Sequence, residues 1–108
     1  MLRLLPYVAI LPVADAHDDY AREVEGLLKE QGIRTEYLNP SESLGKRIRE
    51  GEKSKIPFLL VLGDTEAKER SVAARSTVTK EQVSVSLEEF IEKTVEDVRE
   101  RRLEASIG

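Results

Sequence analysis

The chain has 108 residues, 35% of them charged and 40% hydrophobic, with a formal net charge of −4. This balance is typical of one folded, soluble domain and excludes a disordered chain. The absence of cysteine excludes disulfides and thiolate metal sites and fits a reducing, cytoplasmic location. No apolar run approaches the roughly 18 residues of a membrane span, and Pro6 and Pro12 interrupt the apolar start, so we predict neither a membrane helix nor a signal peptide.

The first third of the chain predicts a strand, a helix and a second strand. Residues Tyr7 to Val13 are mostly apolar and predict the strand. Asp15 resembles a helix N-cap, and the helix is expected to run to about Gln31, where Gly32 ends it. Residues 33–38 alternate between polar and apolar, which predicts a half-buried strand towards a sheet edge.

A second helix is predicted to begin at Asn39 and Pro40. Asn at the cap, Pro at the first helical position and Glu42 three residues after the cap agree with one another. Leu44 and Ile48 form its short apolar stripe. Its basic residues are expected on the outward face (Lys46, Arg49 and Lys53) and at the side (Arg47).

The second half predicts three strands and a helix. Pro57 to Leu62 is an unbroken apolar run, typical of a strand buried on both faces. Residues 64–70 are interpreted as a polar connection. Ser71 to Ser76 and Gln82 to Val85 alternate weakly and predict a hairpin. Ser86 opens the sequence SLEE, a capping box that predicts the final helix.

The element order is therefore β-α-β-α-β-β-β-α. Two βαβ units require parallel strands and right-handed crossovers, which favours a sheet order of 2-1-3 with the hairpin strands added beyond. The predicted fold is a three-layer α/β/α domain with a five-stranded mixed sheet. We expect one domain over residues 1–108, with an ordered core of about 6–101 and a frayed tail at 102–108.

Few residues suggest enzyme chemistry. His17 is the single histidine and lies near Asp15 and Asp19, so a metal or catalytic role is conceivable; a surface histidine among capping acids is favoured. No glycine-rich phosphate loop is present, and Asp64 with Glu66 is interpreted as a turn and cap. We therefore predict no metal, no cofactor and no catalytic residues.

The most basic segment of the chain is the candidate binding surface. Lys46, Arg47, Arg49, Lys53 and Lys55 lie there with only two glutamates to offset them. An acidic protein can bind nucleic acid only through such a local basic face, although a solvated helix face is the alternative interpretation. Arg75, in an alternating strand, is expected to face solvent or a partner, where it could bind a phosphate or fork onto a guanine edge. Glu66 could accept a hydrogen bond from a base.

Three segments carry a resemblance to a known family: VAILPVADAHDDYAREVEGLLKEQGIRTEY, LGKRIREGEKSKIPFLLVLGDTEAKERSVAARS and SLEEFIEK. From about Val8 to Arg101 they are similar to the C-terminal anticodon-binding domain of class II aminoacyl-tRNA synthetases, above all the threonyl-tRNA synthetase family. The resemblance implies a five-stranded mixed sheet with three helices, and recognition of a tRNA anticodon, of threonine type, for a separate catalytic domain. It implies anticodon base contacts by Glu66, Arg75 and Arg49, and phosphate contacts by Lys46, Arg47, Lys53 and Lys55.

The chain also departs from this family. A second arginine that often follows Arg75 is replaced by Thr77, and the hairpin glycines are replaced by Val78 and Thr79. These changes favour a second hypothesis, a free-standing protein-interaction module with weakened RNA binding. A third is a small enzyme that uses His17 with a neighbouring aspartate. We recognise no catalytic domain and no ATP or zinc site, and expect an isolated domain to be monomeric and away from membranes.

Overall fold

The computed structural model describes residues 7–96. In chain order the elements are β1 (Val8–Pro12), a 3-10 turn (Asp15–His17), α1 (Asp18–Glu30), β2 (Thr35–Tyr37), α2 (Leu44–Lys53), β3 (Phe58–Leu62), α3 (Asp64–Glu69), β4 (Ser71–Ser76), β5 (Gln82–Ser86) and α4, described over 87–96. The expected ends of the ordered core at 6 and 101, and the expected frayed tail, lie outside the described residues. Within that range, no helix is both long and apolar enough to cross a bilayer.

The five strands form one mixed sheet in the order β2-β1-β3-β4-β5. β1 is parallel to β2 and β3, whereas β3–β4 and β4–β5 are antiparallel. The predicted 2-1-3 order with the hairpin beyond β3 is thereby confirmed. The apolar runs of β1 and β3 explain their central positions, since a strand with neighbours on both sides and helices on both faces exposes little surface.

Helices cover both faces of the sheet. On one face α1 and α4 pack on the sheet through the larger apolar cluster, which includes Ile10, Val24, Leu60 and Phe90. On the other face α2 packs through a smaller cluster, whose buried members are Ala9, Leu11, Ile56 and Leu59. The predicted three-layer α/β/α architecture is therefore present.

Helix ends that carry glycine or serine behave as predicted. Gly32 has φ +78° and ends α1, with Ile33 N–H donating to Leu28 C=O at 3.1 Å. Ser86 Oγ accepts the Glu89 N–H at 3.2 Å and so caps α4. The predicted N-cap at Asp15 is wrong: Asp15 begins a 3-10 turn whose N-cap is Ala14, and α1 follows from Asp18 with His17 as its N-cap.

Two further predicted boundaries are wrong. α2 begins at Leu44, not at Pro40, because Ser43 Oγ accepts the Lys46 N–H and caps the helix, while Asn39 Oδ1 accepts the Ser41 N–H at 2.8 Å in a turn. The polar connection after β3 is largely the helix α3. Its first turn is closed by Glu66, whose Oε1 accepts the Gly63 N–H at 2.7 Å.

Candidate nucleic-acid interface

The packing of α2 determines where the basic side chains point. Leu44 and Ile48 contact the smaller apolar cluster, and Gly51 lies directly on β3. A Cβ at Gly51 would lie 2.6 Å from Leu59 Cδ2, so a larger residue there would force either the Leu59 side chain or α2 to shift. The opposite side of α2 carries Lys46 and Lys53, which are exposed as predicted.

One flank of α2 faces the β4–β5 hairpin. Lys80, in the turn of this hairpin, pairs with Glu52 of α2 at 2.9 Å between Nζ and Oε2. Arg49 lies three residues before Glu52, so helical periodicity puts it near the same flank. Arg49 is exposed and therefore borders the space between α2 and the hairpin.

Arg75 lies on the sheet face that α2 covers. It is paired in register with Leu59 of β3 and Gln82 of β5, and paired residues share a sheet face. Leu59 of β3 lies under Gly51 of α2. Arg75 is its partner on the neighbouring strand β4 and therefore lies beside the helix. It is half-buried, and its Nε is buried without a hydrogen-bond partner. A buried donor of this kind is costly unless a partner arrives from outside.

The cations of this region differ in their partners. Lys46 pairs with Glu42 at 3.0 Å, and this hydrogen bond raises the pKa of Lys46 above its ordinary value. Among residues 7–96, the cations on or beside α2 that form no ion pair within 4.0 Å are Arg47, Arg49, Lys53, Lys55 and Arg75, and elsewhere Arg34 and Lys68 form none either. Apart from Arg47, the cations of this region that lack an ion pair are therefore available to an external anion.

Lys55 has an unusual backbone conformation. Its φ is 59°, in the left-handed region, and it follows Ser54, the C-cap residue of α2. The Ile56 N–H donates to Gly51 C=O and the Lys55 N–H to Glu52 C=O, both at 3.1 Å, which is the same helix ending that Gly32 gives α1. A lysine thus occupies a position where glycine is usual, and presents an exposed ammonium group.

The predicted phosphate contact by Arg47 is wrong, because this side chain points into the protein. Arg47 is 2% exposed, and its guanidinium donates to three backbone carbonyl groups. The apolar stripe of α2 is narrow, so the sequence pattern does not decide whether the Arg47 side chain points towards the sheet or towards solvent. Burial lowers the pKa of Arg47 from its ordinary value.

Glu66 and Arg75 lie at opposite ends of β3. Glu66 is in the first turn of α3, after the carboxyl end of β3, whereas Arg75 pairs with Leu59 near its amino end. The intervening strand spans about 10 Å, which is longer than the rise of one stacked nucleotide. The structure therefore does not bring the two predicted base-binding residues together, and both could contact RNA only at different nucleotides.

His17 is buried, so the predicted surface position is wrong. Its Nδ1 accepts the Ala14 N–H at 3.1 Å, and its Nε2 lies 2.6 Å from Asp64 Oδ1. The chain leaves β1 and β3 at this point in opposite directions, where α/β sheets commonly bind ligands. Here the His17–Asp64 pair bridges the two loops. Residues 7–96 also contain no group of three metal-ligating side chains.

The aromatic side chains do not form an exposed stacking platform among the described residues. Phe58 and Phe90 meet edge-on with ring centroids 6.1 Å apart. Arg22 covers the ring of Tyr37 at 3.6 Å, and Tyr20 donates its hydroxyl hydrogen to Ser71 C=O at 2.8 Å. Any bases bound here would meet polar and charged groups rather than aromatic faces.

The sheet separates acidic from basic surface. α1 carries five acidic and two basic side chains, and residues 87–96 carry four acidic and one basic, all on the same side of the sheet. α2 lies on the other side with three exposed basic residues, the buried Arg47 and two acidic residues. A polyanion is therefore attracted to the α2 side and repelled from the opposite side.

Two polar neighbours of Arg75 were not anticipated. Gln82 pairs directly with Arg75, and Ser84 pairs with Ala73, so both lie on the same face as Arg75 and both are exposed. Antiparallel pairing across the predicted hairpin could have identified them. Lys80 was missed because its turn offered no periodic pattern. In all, the face between α2 and the hairpin contains cations and hydrogen-bonding groups (Arg49, Arg75, Lys80, Gln82 and Ser84), and the exposed Lys55 lies just after α2.

These features define a small α/β domain of mixed sheet topology with a single cationic face. The family model for the anticodon binding domain matches residues 7–97. The chain therefore belongs to the anticodon binding domain family.

Known proteins similar to this chain agree with that assignment. The threonine–tRNA ligase of Campylobacter lari is 45% identical over 95 residues, which is 88% of this chain and 16% of that protein. The Campylobacter hominis enzyme of the same name is 47% identical over 85 residues, covering 79% and 14% of the two chains. This chain thus spans about one sixth of the length of these relatives.

Solved structures share the fold. The RNA binding domain of threonyl-tRNA synthetase from Cryptosporidium parvum superposes with a TM-score of 0.77 at 26% identity, covering 82% of this chain and 22% of that chain. Histidyl-tRNA synthetase from Nostoc sp. PCC 7120 superposes with a TM-score of 0.79 at 23% identity, covering 92% and 23%. The predicted family membership and fold are confirmed.

Proposed function

We propose that this domain binds the anticodon loop of a tRNA on the face between α2 and the β4–β5 hairpin. The observation that carries the proposal is the group of cations without an ion-pair partner on and beside α2 (Arg49, Lys53, Lys55 and Arg75), with the buried Arg75 Nε lacking a hydrogen-bond partner. Phosphate neutralisation supplies much of the affinity of such surfaces, and base contacts supply specificity.

The residues divide by chemistry. Arg75 and Arg49 border the open face, and their planar guanidinium groups suit the donor and acceptor pattern of a base edge. Glu66 would accept from a base at a second nucleotide, through whichever oxygen the α3 cap leaves available. The exposed ammonium groups of Lys46, Lys53 and Lys55 would contact phosphates. Arg47 is not in this set.

A tRNA of threonine type is the expected ligand, and a synthetase catalytic domain the expected neighbour in function. The similarity to threonine–tRNA ligases supports both. Exposed Lys46–Glu42 and Lys80–Glu52 pairs cost little to break, so each lysine can exchange its glutamate for a phosphate.

The test is a titration of labelled tRNA at low salt. A threonine tRNA should bind and shift the amide signals of Arg49, Glu66 and Arg75, and a tRNA with a different anticodon should bind more weakly. The logarithm of the association constant should fall linearly with the logarithm of salt concentration. If threonine tRNA leaves those three signals unmoved, the proposal is wrong.

A protein-interaction module is the second candidate function. Val78 is 83% exposed at the hairpin tip and Val83 is 56% exposed on β5, and apolar exposure of this kind is a feature of protein contacts. Thr77 does not extend the basic surface, since its hydroxyl donates to Ile56 C=O at 2.7 Å. Recovery of specific proteins without RNA in a pull-down would favour this candidate over tRNA binding.

A further inference from the structure

Arg47 is a buried cation whose partners are all backbone carbonyl groups. Its Nη1 donates to Pro12 C=O at 2.6 Å and to Leu38 C=O at 3.0 Å, and its Nε donates to Glu42 C=O at 3.1 Å. The acceptors belong to three segments: the end of β1, the residue after β2 and the loop before α2. One side chain therefore joins α2 to the carboxyl edge of the sheet.

This arrangement is costly unless it fixes a geometry. A buried guanidinium loses its hydration, and no carboxylate of residues 7–96 pairs with Arg47. An apolar side chain of similar size would avoid the desolvation of a charge, but it would leave the three carbonyl groups without this donor. Such a side chain could not donate to three carbonyl groups at once, and directional hydrogen bonds restrict the orientation of α2 in a way that apolar packing does not.

Arg47 and Glu52 hold opposite flanks of α2. Five residues separate them, which is about 140° around the helix, and Glu52 is tied to Lys80 of the hairpin. Between these flanks Gly51 rests on Leu59. Arg47 and Gly51 thus fix α2 against the sheet, and the exposed Glu52–Lys80 pair adds a weaker contact with the hairpin. A rotation of about 20° would move a group at the helix surface by about 2 Å, which is more than a base contact tolerates.

We infer that Arg47 is a positioning residue for RNA binding, because its three hydrogen bonds set the rotation of α2 that directs Arg49 into the open face. The expected effect on RNA binding rests on the proposed function, whereas the rotation of α2 is a property of the protein without RNA. Arg47 would touch no RNA. It would act through Arg49, whereas Lys55 and Arg75 lie outside α2 and would keep their positions.

A double-mutant cycle tests the coupling. Arg47→Met and Arg49→Ala should each weaken threonine tRNA binding about tenfold, and the double variant should bind within about twofold of Arg49→Ala alone. A double variant weakened about a hundredfold would mean that the two residues act independently, and would overturn the inference. Lys29→Met, an exposed site on α1 with the same change of charge, is the control and should bind as the unaltered protein does.

A second variant covers the case in which Arg47→Met fails to fold. Arg47→Lys keeps the charge but loses the forked geometry, and residual dipolar couplings of the RNA-free variant should show α2 rotated relative to β1 and β3. Unchanged couplings in α2, with an unchanged Arg49 Nε–Hε signal, would overturn the inference. This readout needs no RNA, so failure of the unaltered protein to bind tRNA would refute the proposed function separately.

Discussion

Replacing Lys55 by glycine should stabilise the fold while weakening RNA binding. Lys55 has φ 59° at the end of α2, and the left-handed region costs a non-glycine residue about 1–2 kcal/mol. Glycine removes this cost but gives the unfolded chain more freedom, which offsets about 0.4–1 kcal/mol. The net gain in the free energy of unfolding is about 0.5–1 kcal/mol.

Two measurements on Lys55→Gly have opposite expected signs. The urea midpoint should rise with an unchanged m-value, and the melting temperature should rise by about 2–6 °C. The affinity for tRNA should fall, because one phosphate contact is lost, and the dependence of log K on log salt should become shallower by about 0.7–0.9. A change that merely loosened the structure would lower both quantities.

Gly32 provides the reciprocal control. It occupies the equivalent position after α1 with φ +78°, and no other atom lies within 4 Å of where its Cβ would be. Gly32→Lys should therefore destabilise the protein by about 0.5–1 kcal/mol without loss of tRNA affinity. If Lys55→Gly unfolds at lower urea than the unaltered protein, the strain argument is wrong. If its affinity and salt slope are unchanged, Lys55 does not contact phosphate.

Three further predictions follow from the same structure. Arg75→Ala should reduce discrimination between anticodons by about 1–3 kcal/mol in a competition assay, whereas Lys53→Ala should weaken all tRNAs alike; equal loss of discrimination by both would contradict the assignment. Gly51→Ala should lower the free energy of unfolding by about 1–3 kcal/mol through its clash with the Leu59 side chain, and Leu59→Val should recover part of that loss; additive losses in urea denaturation would argue against the clash. Burial raises the pKa of Tyr20 from 10.0 to about 12. Because the unfolded state then ionises first, the contribution of Tyr20 should be intact below pH 10 and fall by about 2 kcal/mol as the pH rises towards 12. Tyr20→Phe should therefore make the decline in urea midpoints across that range smaller, and Tyr37, whose pKa is also raised to about 12, should account for a further part.

The fold was predictable because its signals are local and redundant. The apolar runs of β1 and β3 require central positions, and βαβ connections leave few ways to arrange three parallel strands. Gly32 and Ser86 mark helix boundaries by backbone freedom and by a side-chain acceptor, which act within one turn. None of these inferences depends on how distant side chains meet.

The errors occurred where two local signals competed or where long-range contacts decided. Asn39 and Ser43 both suit a helix cap, and the sequence alone does not say which is used. Arg47 lies beside a stripe only two residues wide, and its burial depends on carbonyl groups that distant strands bring to it. His17 is buried, and its Nε2 meets the carboxylate of Asp64, which is distant in sequence. Such contacts have no periodicity in the chain.

The ends of the helices explain how an acidic domain can still direct a polyanion to one side. The first turn of a helix attracts phosphate, but α1 has Asp18 and Asp19 there and α3 has Asp64 and Glu66. These carboxylates would repel phosphate groups from the two ends, so the base contact proposed for Glu66 requires the edge of a base and not a phosphate there. The first turn of α2 carries no acidic residue, and the last turn ends in Lys53, which offsets the negative end of the helix dipole. The net charge of −4 therefore opposes RNA binding elsewhere on the domain more than at α2. The orientation of bound RNA is then set by repulsion from the acidic surfaces as well as by attraction to α2.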